Sequence, residues 1–347
     1  MISGATIKTD HTTRTRARLR ARAGVPVRAR LPYAWGAAGL CALAALTGCS
    51  VLDAVRPDEA SDDKASTTAV TPAAARPARP RPAAPVPAAL EDVRVNVDDG
   101  AVVGIGMPMS LVFDRPVPVT ERAAVERALN VSSSPRVTGA WSWVKDRDLL
   151  DGGRLDYRPR DYWPTGTKVT LRAGSRSGSA PGPGDSLNRR FTVGRSLVAT
   201  VDVRDHSMTV VREGVATRVP ITAGAPGMET WNGVMVVAGK ERRLLMDSST
   251  VGFGDEYKGY YNYAVHLTSS GTYLHENPMA DAHAGHRNVT HGCVGLPTDG
   301  TARRFFEEVI PGDVVRVTGA PETVDPGNGY GDWNVPWSEW VAGSALR

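Results

Sequence analysis

The densest chemistry in the chain runs from His275 to Cys293. The stretch opens with Tyr273-Leu274-His275-Glu276-Asn277-Pro278 and closes with Thr290-His291-Gly292-Cys293-Val294-Gly295-Leu296-Pro297. There are three cysteines, Cys41, Cys49 and Cys293, and the first two lie in an N-terminal leader. Cys293 is therefore a lone thiol among histidines, the composition of a thiolate nucleophile and its base. The thiolate is the reactive form, and a neighbouring imidazolium lowers the thiol pKa and holds the ion pair. Gly292 removes bulk beside the sulfur and lets the backbone bend so that successive N–H groups converge on an oxyanion. Two other readings stay open at this point. A lone cysteine is often a buried, inert small hydrophobe. His275, His283, His286, His291 and Cys293 also put five candidate zinc ligands within nineteen residues, although their spacing matches no familiar finger or helix-borne His pair.

Such residues need a scaffold to position them. Apolar residues make up 41% and aromatics 6%, with 36 Gly and 25 Pro. That mixture favours short strands and turns over a helical bundle, so a mainly β fold is expected. From Val93 to Val193 the pattern is of short strands: Ser110–Phe113, Ala140–Val144, Lys168–Arg172 and Arg190–Val193. One short helix, capped by Thr120 and running over Glu121–Leu129, interrupts them. This spacing suits an immunoglobulin-like β-sandwich over 92–195, with no cysteine for an inter-sheet disulfide. Trp141, Trp143 and Trp163 read as packing residues. Over 196–318 strands are expected at Val198–Val203, Met208–Val211, Ala216–Thr222, Gly233–Val237, Arg243–Met246, Tyr263–Leu267 and Val314–Val317. A helix from Thr298 or Asp299 through Glu308 would turn Phe305 and Phe306 inward. The tail, 319–347, holds Trp333, Trp337 and Trp340, which need burial and so should dock on the preceding domain.

The formal charge of +4 invites a nucleic-acid reading that fails once the charge is located. Residues 1–48 hold eight of the 41 basic residues and one of the 37 acidic ones, leaving the rest at −3. Such a balance offers no broad phosphate-binding surface. A basic stretch to Arg30, an apolar run from Tyr33 to Leu46 and then Leu46-Thr47-Gly48-Cys49 have the form of a lipoprotein signal peptide over 1–48. Cys49 is the expected lipidation site, an anchor to the membrane in which each buried methylene contributes about 0.8 kcal/mol. Residues 49–91, rich in Ala and Pro, read as a disordered tether. The folded part is thus expected outside the cytoplasm, lipid-anchored at the cell membrane and facing the wall.

A His, fourteen residues, then Thr290-His291-Gly292-Cys293 resembles the signature of the L,D-transpeptidase family with the YkuD-type catalytic domain. Asn232-Gly233-Val234, Leu245-Met246-Asp247-Ser248-Ser249-Thr250, Gly271-Thr272-Tyr273-Leu274-His275 and Gly331-Asp332-Trp333-Asn334-Val335-Pro336-Trp337 resemble its actinobacterial lipoprotein branch. In that branch an immunoglobulin-like domain precedes the catalytic domain and a Trp-rich tail follows. The resemblance implies that Cys293 is the nucleophile and His275 the general base. It implies that Glu276, in place of the more common Ser, orients His275 through its backbone carbonyl. His291, Gly292 and Cys293 would supply oxyanion N–H groups within a loop that includes Thr290, with His291 holding that loop. Tyr260, Tyr261 and Tyr263 fall in a region that forms a flap in relatives. Tyr260, Tyr273, Glu276 and Asn277 are the candidate substrate contacts. The family motif usually carries Asn or Arg two residues after the Cys, where this chain has Gly295. The implied reaction is acyl transfer on peptidoglycan. Cys293 attacks the third residue of a tetrapeptide stem, D-Ala leaves, and an amine of a second stem resolves the thioester into a 3→3 cross-link. Carbapenems are implied inhibitors, and neither metal nor organic cofactor is needed. A hydrolase using water as acceptor and a non-catalytic wall-binding protein are the alternatives.

Overall fold

The structure, a computed structural model, describes residues 86–149, 153–174 and 184–347. The leader, Cys49 and nearly all of the tether lie outside the described residues. No described helix is long and apolar enough to cross a membrane.

The first part is built from β1 (Val93–Val95), β2 (Val102–Val103), β3 (Met109–Phe113), helix α1 (Val119–Arg127), β4 (Leu129–Ser134), β5 (Gly139–Lys145), β6 (Gly153–Pro159), β7 (Lys168–Ala173) and β8 (Arg189–Val193). They form two four-stranded sheets, ordered β1-β3-β6-β5 and β2-β8-β7-β4. Leu111 and Leu155 of one sheet and Leu171 and Phe191 of the other share one core with Trp163, as expected of a β-sandwich. Trp141 packs there edge-on to Tyr157 at 5.2 Å. Thr120 does not cap α1: Pro118 occupies the cap position and the helix begins at Val119. Proline's fixed φ suits a helix entry.

The second part contains β9 (Leu197–Asp202), β10 (Ser207–Arg212), β11 (Val215–Pro220), β12 (Gly233–Val236), β13 (Gly239–Asp247), β14 (Lys258–His266), β15 (Tyr273–Glu276), helix α2 (Ala280–His283), β16 (Val294–Leu296), helix α3 (Thr301–Glu308) and β17 (Val314–Thr318). A five-stranded sheet, β11-β10-β9-β17-β12, and a four-stranded sheet, β13-β14-β15-β16, enclose the core. Alternation sets the burial: Leu197, Ala199 and Val201 point into the core between half-exposed neighbours. Phe305 is buried against the same core and Phe306 packs at its edge. Helix α3 starts at Thr301, two or three residues later than expected, after Gly300 in the left-handed region, while Asp299 accepts from the Thr301 N–H at 2.9 Å.

The tail corrects one expectation. It docks on the sandwich as much as on the domain that precedes it. Helix α4 (Trp337–Ala342) lies on β5, where the buried Trp340 donates from Nε1 to the Ala140 carbonyl at 3.0 Å. The Arg158 guanidinium sits 4.7 Å over Trp333, 5.5 Å over Trp337 and 4.5 Å over Trp340, and donates to the Val335 carbonyl at 2.7 Å. Beside it, buried Arg154 bonds Asp156 at 2.6 Å, pairs with Asp146, approaches Asp332 at 3.6 Å and donates to the Gly329 carbonyl at 2.6 Å. On its other side the tail grips the catalytic part, since the Asn334 carboxamide bonds both the N–H (2.7 Å) and carbonyl (2.8 Å) of Val234 in β12.

Candidate active site

Strands β15 and β16 pair in parallel, with Leu274 opposite Val294, His275 opposite Gly295 and Glu276 opposite Leu296. Parallel neighbours cannot be joined by a tight turn, so the chain crosses over through α2 before entering β16. That crossover brings together His275 and Cys293, which are distant in sequence. Cys293 immediately precedes β16, and both residues line one cavity of about 520 Å³ together with Tyr257, Tyr260, Tyr261 and Asn277.

His275 is 3% exposed. Its Nδ1 lies 2.6 Å from the Glu276 carbonyl oxygen. A carbonyl only accepts, so Nδ1 carries the proton and, in the neutral ring, Nε2 is left unprotonated. The edge of Tyr261 packs against the ring at 4.9 Å. Burial pushes the imidazole down to about 4, with the Glu276 carbonyl opposing. Burial likewise pushes the Cys293 thiol up to about 11, opposed by the Tyr273 backbone. The thiol donates to the Gly271 carbonyl at 3.6 Å. Burial thus disfavours the charged form of both groups, the opposite direction to the one an ion pair would give.

The turn before the sulfur is held by one glycine and one hydroxyl. Gly292 has φ +104°, a conformation that side chains disfavour. Thr290 is buried, and its hydroxyl donates to the Cys293 carbonyl at 2.6 Å, closing the turn. Its backbone is pinned to the neighbouring loop by Thr290 N–H to Ala223 (3.0 Å) and Ala225 N–H to Thr290 (2.8 Å). The N–H groups of His291, Gly292 and Cys293 make no turn or loop hydrogen bond among the described residues. His291 lies 2.8 Å from a Glu256 carboxylate oxygen and packs against Tyr257 at 5.1 Å and Phe253 at 5.7 Å. It ties the turn to the segment preceding β14. Tyr257 and His291 also line a second cavity of about 300 Å³, which holds Gly271, Gly292 and Trp231.

The other candidates divide. Glu276 lines the cavity, and its carboxylate accepts from Asn262 Nδ2 at 2.9 Å. Tyr260 sits at the rim, 62% exposed, under the Arg243 guanidinium at 4.1 Å. Tyr273 is corrected: its ring stacks on His266 at 4.6 Å and does not line the catalytic cavity. Tyr263 packs on Phe306 at 5.7 Å, away from the site. Tyr257, a cavity residue with no motif around it in the sequence, gave no signal by spacing or pattern. The zinc reading fails on geometry. His283 and His286 line a different cavity, of about 970 Å³, with His206 and Arg287. Among the described residues no three His, Cys, Asp or Glu side chains converge as metal ligands. The motif departure at Gly295 has a packing cause, since a Cβ there would lie 2.8 Å from Thr222 Cγ2 and 3.0 Å from Asn277 Cβ.

The comparisons with known proteins agree with this architecture. Residues 83–176 match the bacterial Ig domain family and residues 196–317 the L,D-transpeptidase catalytic domain family, YkuD. L,D-transpeptidase 5 of Mycobacterium tuberculosis is 34% identical over 256 residues, covering 72% of this chain and 55% of that protein. L,D-transpeptidase 1 of the same species is 33% identical over 230 residues, 65% of this chain and 84% of that one. The chain spans little more than half the length of the first of these relatives. Among solved structures, an LD transpeptidase, LdtMt1, in complex with imipenem superposes with TM-score 0.55 at 30% identity, covering 66% of this chain and 99% of that one. L,D-transpeptidase 3 from Mycobacterium tuberculosis with a faropenem-derived adduct gives TM-score 0.54 at 30% identity, with 66% and 98% coverage.

Proposed function

This chain belongs to the L,D-transpeptidase family, and on that footing we propose that it forms 3→3 peptidoglycan cross-links through a thioester on Cys293. The observation that carries the reading is the tautomer of His275. Its Nδ1 proton is spent on the Glu276 carbonyl, so Nε2 is the base in a cavity shared with the only described thiol. In the proposed first step Nε2 takes the Cys293 proton as sulfur attacks the carbonyl of the third stem residue. Negative charge builds on that oxygen, opposite the free N–H groups of residues 291–293. Preorganised donors of this kind are the largest electrostatic contribution in acyl transfer. The carbon–nitrogen bond to D-Ala then breaks, and the departing amine takes the proton from the imidazolium. In the second step an amine of another stem attacks the thioester, His275 accepts its proton, and the sulfur leaves and is reprotonated. Every proton passes through Nε2, and nucleophile, base and oxyanion donors are all protein groups.

Carbapenems belong to the same proposal. Two structurally similar relatives carry imipenem or a faropenem-derived adduct, and a strained lactam carbonyl suits the same thiol. The sequence motif ending in Cys49 supports lipid anchoring outside the cytoplasm. A non-catalytic wall-binding role is the alternative raised by Gly295, and a carbapenem adduct on Cys293 detected by intact mass would argue against it.

The test is to incubate the soluble part, residues after about 90, with disaccharide-tetrapeptide and to measure product masses. Cross-linked dimers with loss of D-Ala support the proposal. Trimmed monomers alone would make water the acceptor and the protein a carboxypeptidase.

A further inference from the structure

One wall of the catalytic cavity has no task in the steps above. Gly295 lies between two neighbours. It is opposite His275 in the β15–β16 pair. On its other side it bridges to Thr222, donating at 2.7 Å and accepting at 3.0 Å. Its φ lies outside the left-handed region, so its backbone does not demand glycine. Space does. A Cβ would lie 2.8 Å from Thr222 Cγ2, 3.0 Å from Asn277 Cβ and 3.2 Å from Asn277 Nδ2. The room a side chain at 295 would need is filled by the Thr222 methyl and by Asn277, from its Cβ to its carboxamide nitrogen.

That carboxamide is fixed and half-used. The Asn277 backbone N–H donates to Leu296 at 3.0 Å. Its Oδ1 accepts from the Met279 N–H at 2.9 Å, which decides which end of the amide is nitrogen. Asn277 is 8% exposed and lines the same cavity as His275 and Cys293. No hydrogen bond from Nδ2 to any described residue is formed. Nδ2 is not among the fully buried atoms, so it faces the open cavity and is available to a ligand oxygen there.

We infer that Asn277 is a substrate-positioning residue. Its Nδ2–H donates to a carbonyl or carboxylate oxygen of the donor stem peptide, beside the carbonyl that Cys293 attacks, and Gly295 is held small to make room for it. The inference rests on the acyl-transfer reading and deepens it by assigning the residue that registers the stem.

The test compares wild type, Asn277→Ala, Gly295→Ala and the double variant in the soluble part. Three quantities are read: tetrapeptide turnover, thermal midpoint, and the rate at which iodoacetamide alkylates Cys293. Asn277→Ala should lose about ten- to a hundredfold in kcat/KM, mostly through KM, as expected when a hydrogen bond to substrate is removed. Its alkylation rate should stay near wild type, because the thiol and imidazole are untouched, while the thermal midpoint falls by about 2–4 °C from the lost Met279 N–H bond to Oδ1. Gly295→Ala should show a loss of the same kind by displacing the carboxamide. In the Asn277→Ala background it should cost little more, since the two act on one interaction. The inference is overturned if Asn277→Ala keeps kcat/KM within about twofold. It is equally overturned if alkylation and turnover fall in parallel, which would make Asn277 a support for the thiol. Failure of the parent reading looks different: wild type itself would form no acyl adduct detectable by mass.

Discussion

Replacing Gly292 by alanine separates backbone conformation from crowding as causes of the oxyanion turn. At this position an added Cβ would meet only the Glu229 and Met228 carbonyls, each at 3.7 Å, which is ordinary contact. No steric clash opposes the substitution. The backbone does, because φ is +104°. Holding a non-glycine residue there costs about 1–3 kcal/mol. If the turn stays as it is, the variant loses that much stability, which at about 2–4 °C per kcal/mol is a modest fall in melting temperature. If the turn relaxes to negative φ, stability is kept and the N–H groups of residues 291–293 swing off the oxyanion position. Losing one such donor costs about 10²–10³ in rate. Relaxation is the cheaper route, since Gly292 itself makes no turn or loop hydrogen bond among the described residues that would hold its φ. We therefore expect turnover to fall at least a hundredfold while the melting temperature drops by only a few degrees. Tetrapeptide turnover and carbapenem acylation, read by mass alongside a thermal melt, decide it. Turnover within about threefold of wild type in a folded variant would refute the oxyanion assignment.

Other substitutions test the remaining parts. Cys293→Ala should abolish cross-linking and carbapenem adducts while the fold survives, checked by intact mass and circular dichroism. His275→Ala should lose nearly as much, because nucleophile and base act as a unit. With His275 held down to about 4 against an ordinary value of 6.5, the unfolded chain binds one more proton across that window. Its contribution therefore makes the protein less stable as pH falls from 6.5 towards 4, and the acylation rate should show no inflection from His275 near 6.5. Denaturant midpoints of wild type and His275→Gln across that range check the first point, and a pH–rate profile the second. In the tail interface, burial and Asp156 raise the Asp332 carboxyl well above the usual carboxylate range. Asp332→Asn should then cost less than about 1 kcal/mol, whereas Arg154→Met, which strands buried carboxylates, should cost about 3–5 kcal/mol; thermal melts distinguish them.

That His275 and Cys293 share one cavity was legible because their signals are local. The thiol, the turn glycine and a histidine one crossover earlier are all carried by residue type and spacing, and the alternation in segments such as Leu197–Asp202 announced the sheets. Strands β15 and β16, which hold the pair, were not expected as strands. At four and three residues they are too short for a period-2 pattern to emerge. The fit of Asn277 against Gly295 and the arrival of Tyr257 over His291 come from tertiary approach between segments, and nothing in either local sequence records it. Tyr273 misled for a related reason. Its neighbourhood in the motif suggested substrate contact, but its partner across β14 is His266, and the two rings stack. Of the tail tryptophans, Trp340 is buried and Trp333 and Trp337 are half-buried, so their type signalled docking. They carried no address, and the arginine that receives them, Arg158, sits some 180 residues upstream in the sandwich.

The docking of the tail also bears on the order of assembly. Residues 319–347 leave the ribosome after everything they clasp, yet Trp340 seals part of the sandwich against Ala140, and Asp332 joins the cluster around Arg154. The sandwich thus has part of its surface completed by a segment that lies beyond the catalytic domain in sequence, and that segment acts as a clasp touching both halves.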